Sequence, residues 1–332
     1  MIVIKKYESG DYMKKRINIF IILIVLVLVA TLSGCKKKDL ETTDPVNGST
    51  NGMEDSGDKE KTREQIMSEF DNILVKGKLE EVIEFIDENI TKLSQIEGDK
   101  MVSELEGILY KSLDATTDKI LQGDTNGELM RIAGTELFFP EDKIKDIQDE
   151  KFREEITKII NSKYKLINLE GSYYPIPDYE KMKQYNSYIS DEIKEYIEIK
   201  AIDSNEPVAV DAGLRITYDD LASRIVKIEK YIEKYSGGQK YEEMLGNYKN
   251  KLAIYLGGLD NTPIADYQTK KIFDDVLESY KKTSNIKDSS TAFVVKKYIS
   301  AIEENDLVVN KAVEDKVVSL VNEALALLEV SK

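Results

Sequence analysis

From Thr62 onward, apolar side chains recur every three or four residues, the period of an amphipathic helix. Thr62-Arg-Glu-Gln65 has the form of a capping box, and Ile66, Phe70, Ile73 and Leu74 follow it on one stripe. Gly77 breaks that run. A second stripe carries Leu79, Val82, Ile83, Ile86, Ile90 and Leu93, and a third carries Val102, Leu105, Leu109 and Leu113. The pattern predicts helix, short turn, helix, short turn, helix. Gln122 to Phe139 reads as a loop with one short helix. Asp124-Thr-Asn-Gly127 has the opening of a calcium loop, but the oxygen spacing and closing Glu are missing, so a Gly-assisted turn is the better account. Pro140-Glu-Asp starts a further helix with Ile144, Ile147, Phe152, Ile156, Ile159 and Ile160 inward.

Pro175 and Pro177 forbid a continuous helix through "YYPIPDY", because each lacks an N–H and disfavours helix at the residue before it. An extended turn leading to a helix capped by Asp178 is expected there. Ser190 and Thr217 then open helices, the second carrying Leu221, Ile225, Ile228, Ile232 and Tyr235 to Gly237-Gly238. Another holds Leu245, Tyr248, Leu252 and Leu256, and "LDNTPIADY" from Leu259 to Tyr267 is a loop. Helices over Ile272 to Tyr280, Phe293 to Ile302 and Lys311 to Leu328 complete the chain. No stretch sustains a two-residue alternation. The expected fold is all-α, a degenerate helical-repeat array or multi-helix bundle of about ten helices over 62–330. It forms one continuous array or two halves, 62–162 and 178–330. "KGKLEEVIEFIDENI" resembles the joint and second helix of a tetratricopeptide repeat, but the 34-residue period of that family does not recur along the chain.

The start of the chain has a different pattern. Met13-Lys-Lys-Arg16 precedes an apolar run of twelve residues, Ile19 to Ala30. That is too short to span a hydrocarbon core, which takes about 17–25 residues, and suits a secretory h-region after a basic n-region. Leu32-Ser33-Gly34-Cys35 follows and resembles the lipobox of bacterial lipoproteins, Gram-positive-type ones included. The resemblance implies a signal peptide over 1–34, with Met13 the better physiological start. It also implies a diacylglyceryl group on the thiol of Cys35, cleavage before that residue, and residence on the extracytoplasmic face of the cell membrane. Two acyl chains hold a protein stably where one holds it marginally. Residues 35–61 are rich in Asp, Glu, Gly, Ser, Thr and Asn and cannot bury enough apolar surface to fold, so they read as a tether with a reach of about 25–30 Å.

Composition narrows the chemistry. The net charge is −15, and the leader over 1–34 carries five cations against two carboxylates, so the chain from Cys35 on holds −18. Such an acidic surface repels nucleic acid, whose binding depends on clustered Lys and Arg. There is no His and no Trp. Imidazole acid–base chemistry, Ser-His-Asp and Cys-His catalysis and His-containing zinc sites are therefore excluded. With 62 Asp and Glu, the nearness of two carboxylates in sequence carries no information. Nothing in the spacing points to a cofactor.

Two stretches offer binding groups. Seven tyrosines lie between Tyr164 and Tyr196, and Tyr173 and Tyr174, beside the prolines, are the ones expected to be exposed. Tyr179, Met182, Tyr185 and Ile189 share a helical face, which favours packing for the others. Asp260 and Asn261 stand on the "LDNTPIADY" loop, where binding residues concentrate, although a turn that caps a helix explains them as well. Both stretches are similar to segments of uncharacterised helical lipoproteins, a likeness that brings no activity with it. The expected function is a non-catalytic binding or scaffold protein for a protein or cell-wall partner, held by membrane lipid through acylated Cys35. A solute-binding lipoprotein of an importer, which would need a parallel sheet, and a carboxylate-dependent cell-wall enzyme are the alternatives.

Overall fold

The computed structural model describes residues 61–330. The leader, Cys35 and the tether up to residue 60 lie outside them. The described residues are all-α, with fourteen α-helices, eleven of them ten residues or longer, and two small two-stranded hairpins. No helix among them is long and apolar enough to cross a membrane.

The first three helices follow the sequence pattern. In α1 (Arg63–Lys76) the Thr62 hydroxyl accepts from the Gln65 N–H and the Gln65 side chain returns the bond, which satisfies two otherwise orphaned donors. The chain turns at Gly77 into α2 (Leu79–Asn89), and Ser94 with Glu97 caps α3 (Gln95–Lys111). Gly98 faces the Tyr188 backbone so closely that a Cβ there would stand 2.3 Å from the Tyr188 carbonyl oxygen. Backbone cannot yield as a flexible side chain can. Gly98→Ala should therefore destabilise the protein by about 1–3 kcal/mol, the usual cost of overpacking, although alanine is the better helix former. A urea midpoint at or above the parent's would refute it.

Two short helices follow, α4 (Leu113–Gly123) and α5 (Glu128–Ala133), and the Asp124 carboxylate caps the second by accepting from the Glu128 and Leu129 N–H groups. The single helix expected from Pro140 is divided. A 3₁₀ segment, Glu141–Asp146, precedes α6 (Glu150–Asn161), whose N-cap is Asp149.

The tyrosine region departs from expectation. Instead of an extended turn it forms a hairpin, β1 (Tyr164–Leu169) against β2 (Ser172–Pro177), closed by Glu170 and Gly171 with φ of 52° and 87°. Positive φ at both loop residues is the I′ geometry that matches strand twist, and Gly171 adopts it freely. The prolines fit because of the register. Leu166 accepts from the Phe139 N–H and the Asn168 N–H donates to Leu137, so these β1 residues bond away from β2. Their partners Pro175 and Tyr173, and likewise Pro177 opposite Tyr164, occupy the positions where β2 owes β1 no hydrogen bond. Neither proline removes a rung of the ladder.

The rest of the chain is α7 (Tyr179–Met182), α8 (Asp191–Asn205), the hairpin β3 (Ala209–Val210) with β4 (Gly213–Leu214), α9 (Tyr218–Lys234), α10 (Tyr241–Gly257), α11 (Asp274–Thr283), α12 (Ser290–Glu303), α13 (Lys311–Glu314) and α14 (Lys316–Val330). Helix α9 packs on α10, α11 and α12, and α14 closes over α10 and α12. One apolar cluster runs from Ile66 to Leu328. Without Trp, tyrosine fills its bulky positions. Tyr218, Tyr255, Tyr280 and Tyr298 form a chain of ring contacts with centroids 6.1, 5.0 and 5.9 Å apart.

Candidate functional site

Tyr173 does not belong to a surface. The strand alternation that turns Tyr174 outward sends Tyr173 inward with both prolines, where it is 1% exposed. Its ring meets Phe139 edge-on at 5.5 Å and its hydroxyl donates to the Glu136 carbonyl at 2.8 Å. This corrects the expectation of exposure: the prolines stand in a strand whose alternation buries Tyr173, and not in a turn. Tyr174 is half-buried on the outer face of the hairpin. Tyr179, Met182, Tyr185 and Ile189 are all buried.

Asp260 and Asn261 are exposed, at the tip of a tight turn in which Leu259 and Thr262 exchange backbone hydrogen bonds. The turn caps no helix; it clamps the β3–β4 hairpin. The Asn261 N–H donates to the Ala212 carbonyl at 2.9 Å, its side-chain amide donates to the Asp211 carbonyl, and the Leu214 N–H donates to the Thr262 hydroxyl at 2.9 Å. The same loop continues into a small backbone ladder. Ala265 bridges Ile272, Lys271 bridges Val308, and the Ile272 N–H donates to the Leu307 carbonyl at 3.0 Å. Three loops, 209–214, 258–273 and 304–310, thus form one end of the helical bundle.

That end has two unusual properties. Five of the eight non-glycine residues with positive φ among the described residues lie in it, namely Asp211, Ala212, Lys270, Asp306 and Leu307. Ala212 and Leu307 have no side-chain polar group to offset the left-handed conformation, which costs about 1–2 kcal/mol each. Strain of this kind persists where surrounding contacts impose it, and such sites concentrate at ligand clamps. It also exposes large apolar side chains that the core would ordinarily take: Tyr267 at 65%, Phe273 at 40% and Leu307 at 39%. The Tyr267 hydroxyl donates to the Asp260 carbonyl, which holds the ring against the turn. Asp266 accepts from the Thr269 and Gln268 N–H groups, and the Thr269 bonds hold its carboxyl below the usual range. The rim carries Asp211, Asp260, Asp266 and Asp306 against Lys270 and Lys271. Rigid aromatic and aliphatic groups inside an acidic rim can dock a basic, partly apolar surface.

A second cluster is invisible in sequence because its members, from Glu106 to Glu243, are 137 residues apart at the extremes. Glu106 on α3 is buried and accepts from Tyr179, from Tyr196 and from the Lys240 ammonium. Tyr196 also contacts Glu243 at 2.6 Å, and Lys200 donates to Glu243 at 2.8 Å. Lys200 lies 5.2 Å from the Tyr179 ring centre and Lys240 lies 4.7 Å from that of Tyr196. Burial alone would push both ammonium groups down, but Tyr110, Glu243 and Glu106 outweigh it at Lys200, and Glu106 and Glu243 outweigh it at Lys240, so both are held above the usual lysine range. Burial likewise opposes ionisation of Glu243, yet Lys200 and Lys240 keep its carboxyl below the usual value. Burial raises the Tyr179 and Tyr196 hydroxyls well above theirs, with Glu106 adding to it. Lys200, Lys240, Glu243, Tyr179 and Tyr196 are each driven further into their ordinary protonation states. A general acid or base, or a lysine nucleophile, needs the opposite displacement. The cluster works as an ionic joint between α3, α7, α8 and the start of α10.

No group of three or more Cys, Asp or Glu side chains able to hold a metal ion occurs among the described residues. No protein-family model, no curated protein and no solved structure matches the chain.

Proposed function

We propose that the chain is a membrane-anchored extracytoplasmic lipoprotein, acylated at Cys35, that binds or scaffolds a protein or cell-wall partner without catalysis. The loop end of the bundle is its partner-facing surface. The observation that carries this reading is the coincidence of exposed Tyr267, Phe273 and Leu307 with five strained backbone positions on three mutually bonded loops. Residues that are costly to hold in place and are left uncovered are explained by contact with something else. The lipobox resemblance supplies the location. The ionic joint favours binding over catalysis, since its charges are stabilised where they stand. An importer's solute-binding protein would be built around a parallel sheet, whereas the described residues hold only short antiparallel hairpins.

The test is photo-crosslinking in living cells from a benzophenone amino acid placed at Tyr267, with the same probe at exposed Val75 on α1 as a control. A discrete adduct from position 267, absent from position 75 and lost when Cys35→Ala releases the anchor, is the expected result. Equal capture from both positions would defeat the surface assignment. An unchanged adduct and unchanged membrane fractionation in Cys35→Ala would defeat the anchor.

A further inference from the structure

On another face of the bundle a groove of about 410 Å³ runs between α9 and the end of α11. Its size falls within the range of about 300–1,000 Å³ typical of small-molecule sites. The floor is apolar, made by Ala222, Val226 and Ile286, the last of them 38% exposed. The walls carry Lys227, Lys230 and Lys282, with Asp219 the one carboxylate among the lining residues. On a chain of net charge −15 this local excess of cations runs against the rest of the surface.

The lysines differ in how they are satisfied. Lys282 is held by Asp219 at 2.8 Å and by Glu278 at 3.3 Å. Among the described residues Lys227 and Lys230 make no ion pair within 4.0 Å. They are set one turn apart on one face of α9, so both ammonium groups can reach a single anion, and Ser223 one turn earlier adds a hydroxyl. We infer that this groove binds an amphipathic anion, a phosphate or phosphodiester head on a short apolar stem. The head sits between Lys227 and Lys230, and the stem lies on Val226 and Ile286. Charge complementarity selects the head, since a neutral or zwitterionic group would leave both cations without a net opposite charge. The stem distinguishes the site from one for a bare ion. The inference is independent of the loop surface proposed above.

The experiment is amine acylation of the intact chain with a limiting acetylating reagent, read lysine by lysine by mass spectrometry. The probes are dihexanoyl phosphatidylglycerol below its micelle concentration, dihexanoyl phosphatidylcholine and inorganic phosphate. Lys76 on α1, outside the groove, serves as the internal control. At four times the dissociation constant, the anionic lipid should slow acylation of Lys227, Lys230 and Lys282, the three lysines lining the groove, about fivefold, by the factor 1 + [L]/Kd, and leave Lys76 unchanged. The protection should weaken as salt is raised. Protection by the anionic lipid and not by phosphate identifies a lipid-type ligand. Equal protection by inorganic phosphate would show that the stem contributes nothing and would overturn the amphipathic assignment. The Lys227→Ala, Lys230→Ala double variant removes two exposed or half-buried side chains, and its unchanged thermal midpoint would show that the fold is retained. Protection of Lys282 should then disappear. Equal protection by the zwitterionic lipid, no protection by any probe, or protection of Lys282 that survives the double substitution would each overturn the inference.

Discussion

Replacing Glu106 by alanine should lower stability by about 3–5 kcal/mol, the cost of breaking a buried ion pair from one side. The magnitude follows from what the substitution strands. The Lys240 ammonium loses its closest carboxylate, and the Tyr179 and Tyr196 hydroxyls lose the oxygen they share. Glu243 remains nearby but already serves Lys200 and Tyr196. Glu106→Gln keeps the volume and one acceptor oxygen, so its loss should be smaller. Removing both partners, as in Glu106→Leu with Lys240→Met, should restore only part of the stability, because an apolar pair of similar volume carries no desolvation cost but the Tyr179 and Tyr196 hydroxyls still lose the oxygen they share. Urea unfolding at pH 7 of Glu106→Leu, Lys240→Met and the double variant measures the coupling. If Glu106→Ala cost under about 1 kcal/mol, a range typical of exposed pairs, the joint would not be the contact that ties α3 to α8 and α10.

The same joint sets a pH dependence whose sign is fixed by the directions of its shifts. Glu243 is held below the value of an unfolded glutamate, about 4.3, so its contribution is complete above that pH and is lost as acid protonates the folded carboxyl. Lys200 and Lys240 are held above the unfolded lysine value of about 10.4, so theirs is complete below it and is lost as pH rises through the folded values. The urea midpoint should therefore be flat from about pH 5 to pH 9 and fall on the acid side. Glu243→Gln should make the acid limb shallower. A limb of unchanged slope in that variant would place the titration elsewhere.

Legibility in the sequence tracked distance along the chain. The starts at Thr62, Ser190 and Thr217 could be read because a cap and its donors lie within three residues of each other. The β1–β2 hairpin was missed for a local reason. Prolines break a helix, but the period-two spacing of Tyr173, Pro175 and Pro177 and the Glu170-Gly171 turn pair mark a hairpin equally well. Both signals were present. The pattern predicts one helix from Lys311 to Leu328, but the chain breaks at Asp315 into α13 and α14. The joint at Glu106 had no signal of its own. Nothing in a chain with 62 acidic residues distinguishes one Glu on α3 from the others until the fold brings Lys240 and two tyrosines to it. The loop surface was half legible. Asp260 and Asn261 stand out as polar loop residues, yet Asn261 spends its groups on the neighbouring hairpin, and Phe273, one of the exposed rings, lies in a stretch that the pattern assigns to a helix.

A second large loss should come from Glu229. This carboxylate on α9 is 1% exposed and sits across the N-terminus of α12. It accepts from the Ser290 N–H at 2.6 Å, the Thr291 N–H at 3.2 Å, the Ser289 hydroxyl at 3.0 Å and the Thr291 hydroxyl. A helix N-terminus offers free N–H groups and positive potential, so a side chain from another helix here takes the place an external anion would occupy. Glu229→Ala leaves two backbone donors without their acceptor and the Thr291 hydroxyl with only Tyr248, and should cost about 3–4 kcal/mol, on the scale of hydrogen bonds to a charged group. Glu229→Gln separates charge from packing, because the amide fills the space but turns an N–H₂ toward donors. It should cost about 2–3 kcal/mol for the same reason. A second readout rests on Glu233, one turn along α9, whose carboxyl is raised by burial and further by the charge of Glu229. In Glu229→Gln that second contribution is gone, so an NMR titration of Glu233 should move to lower pH. Loss of stability with no movement of Glu233 would mean that Glu229 acts only as a spacer between α9 and α12. Movement of Glu233 without loss of stability would mean that its charge is felt but does not cap the helix.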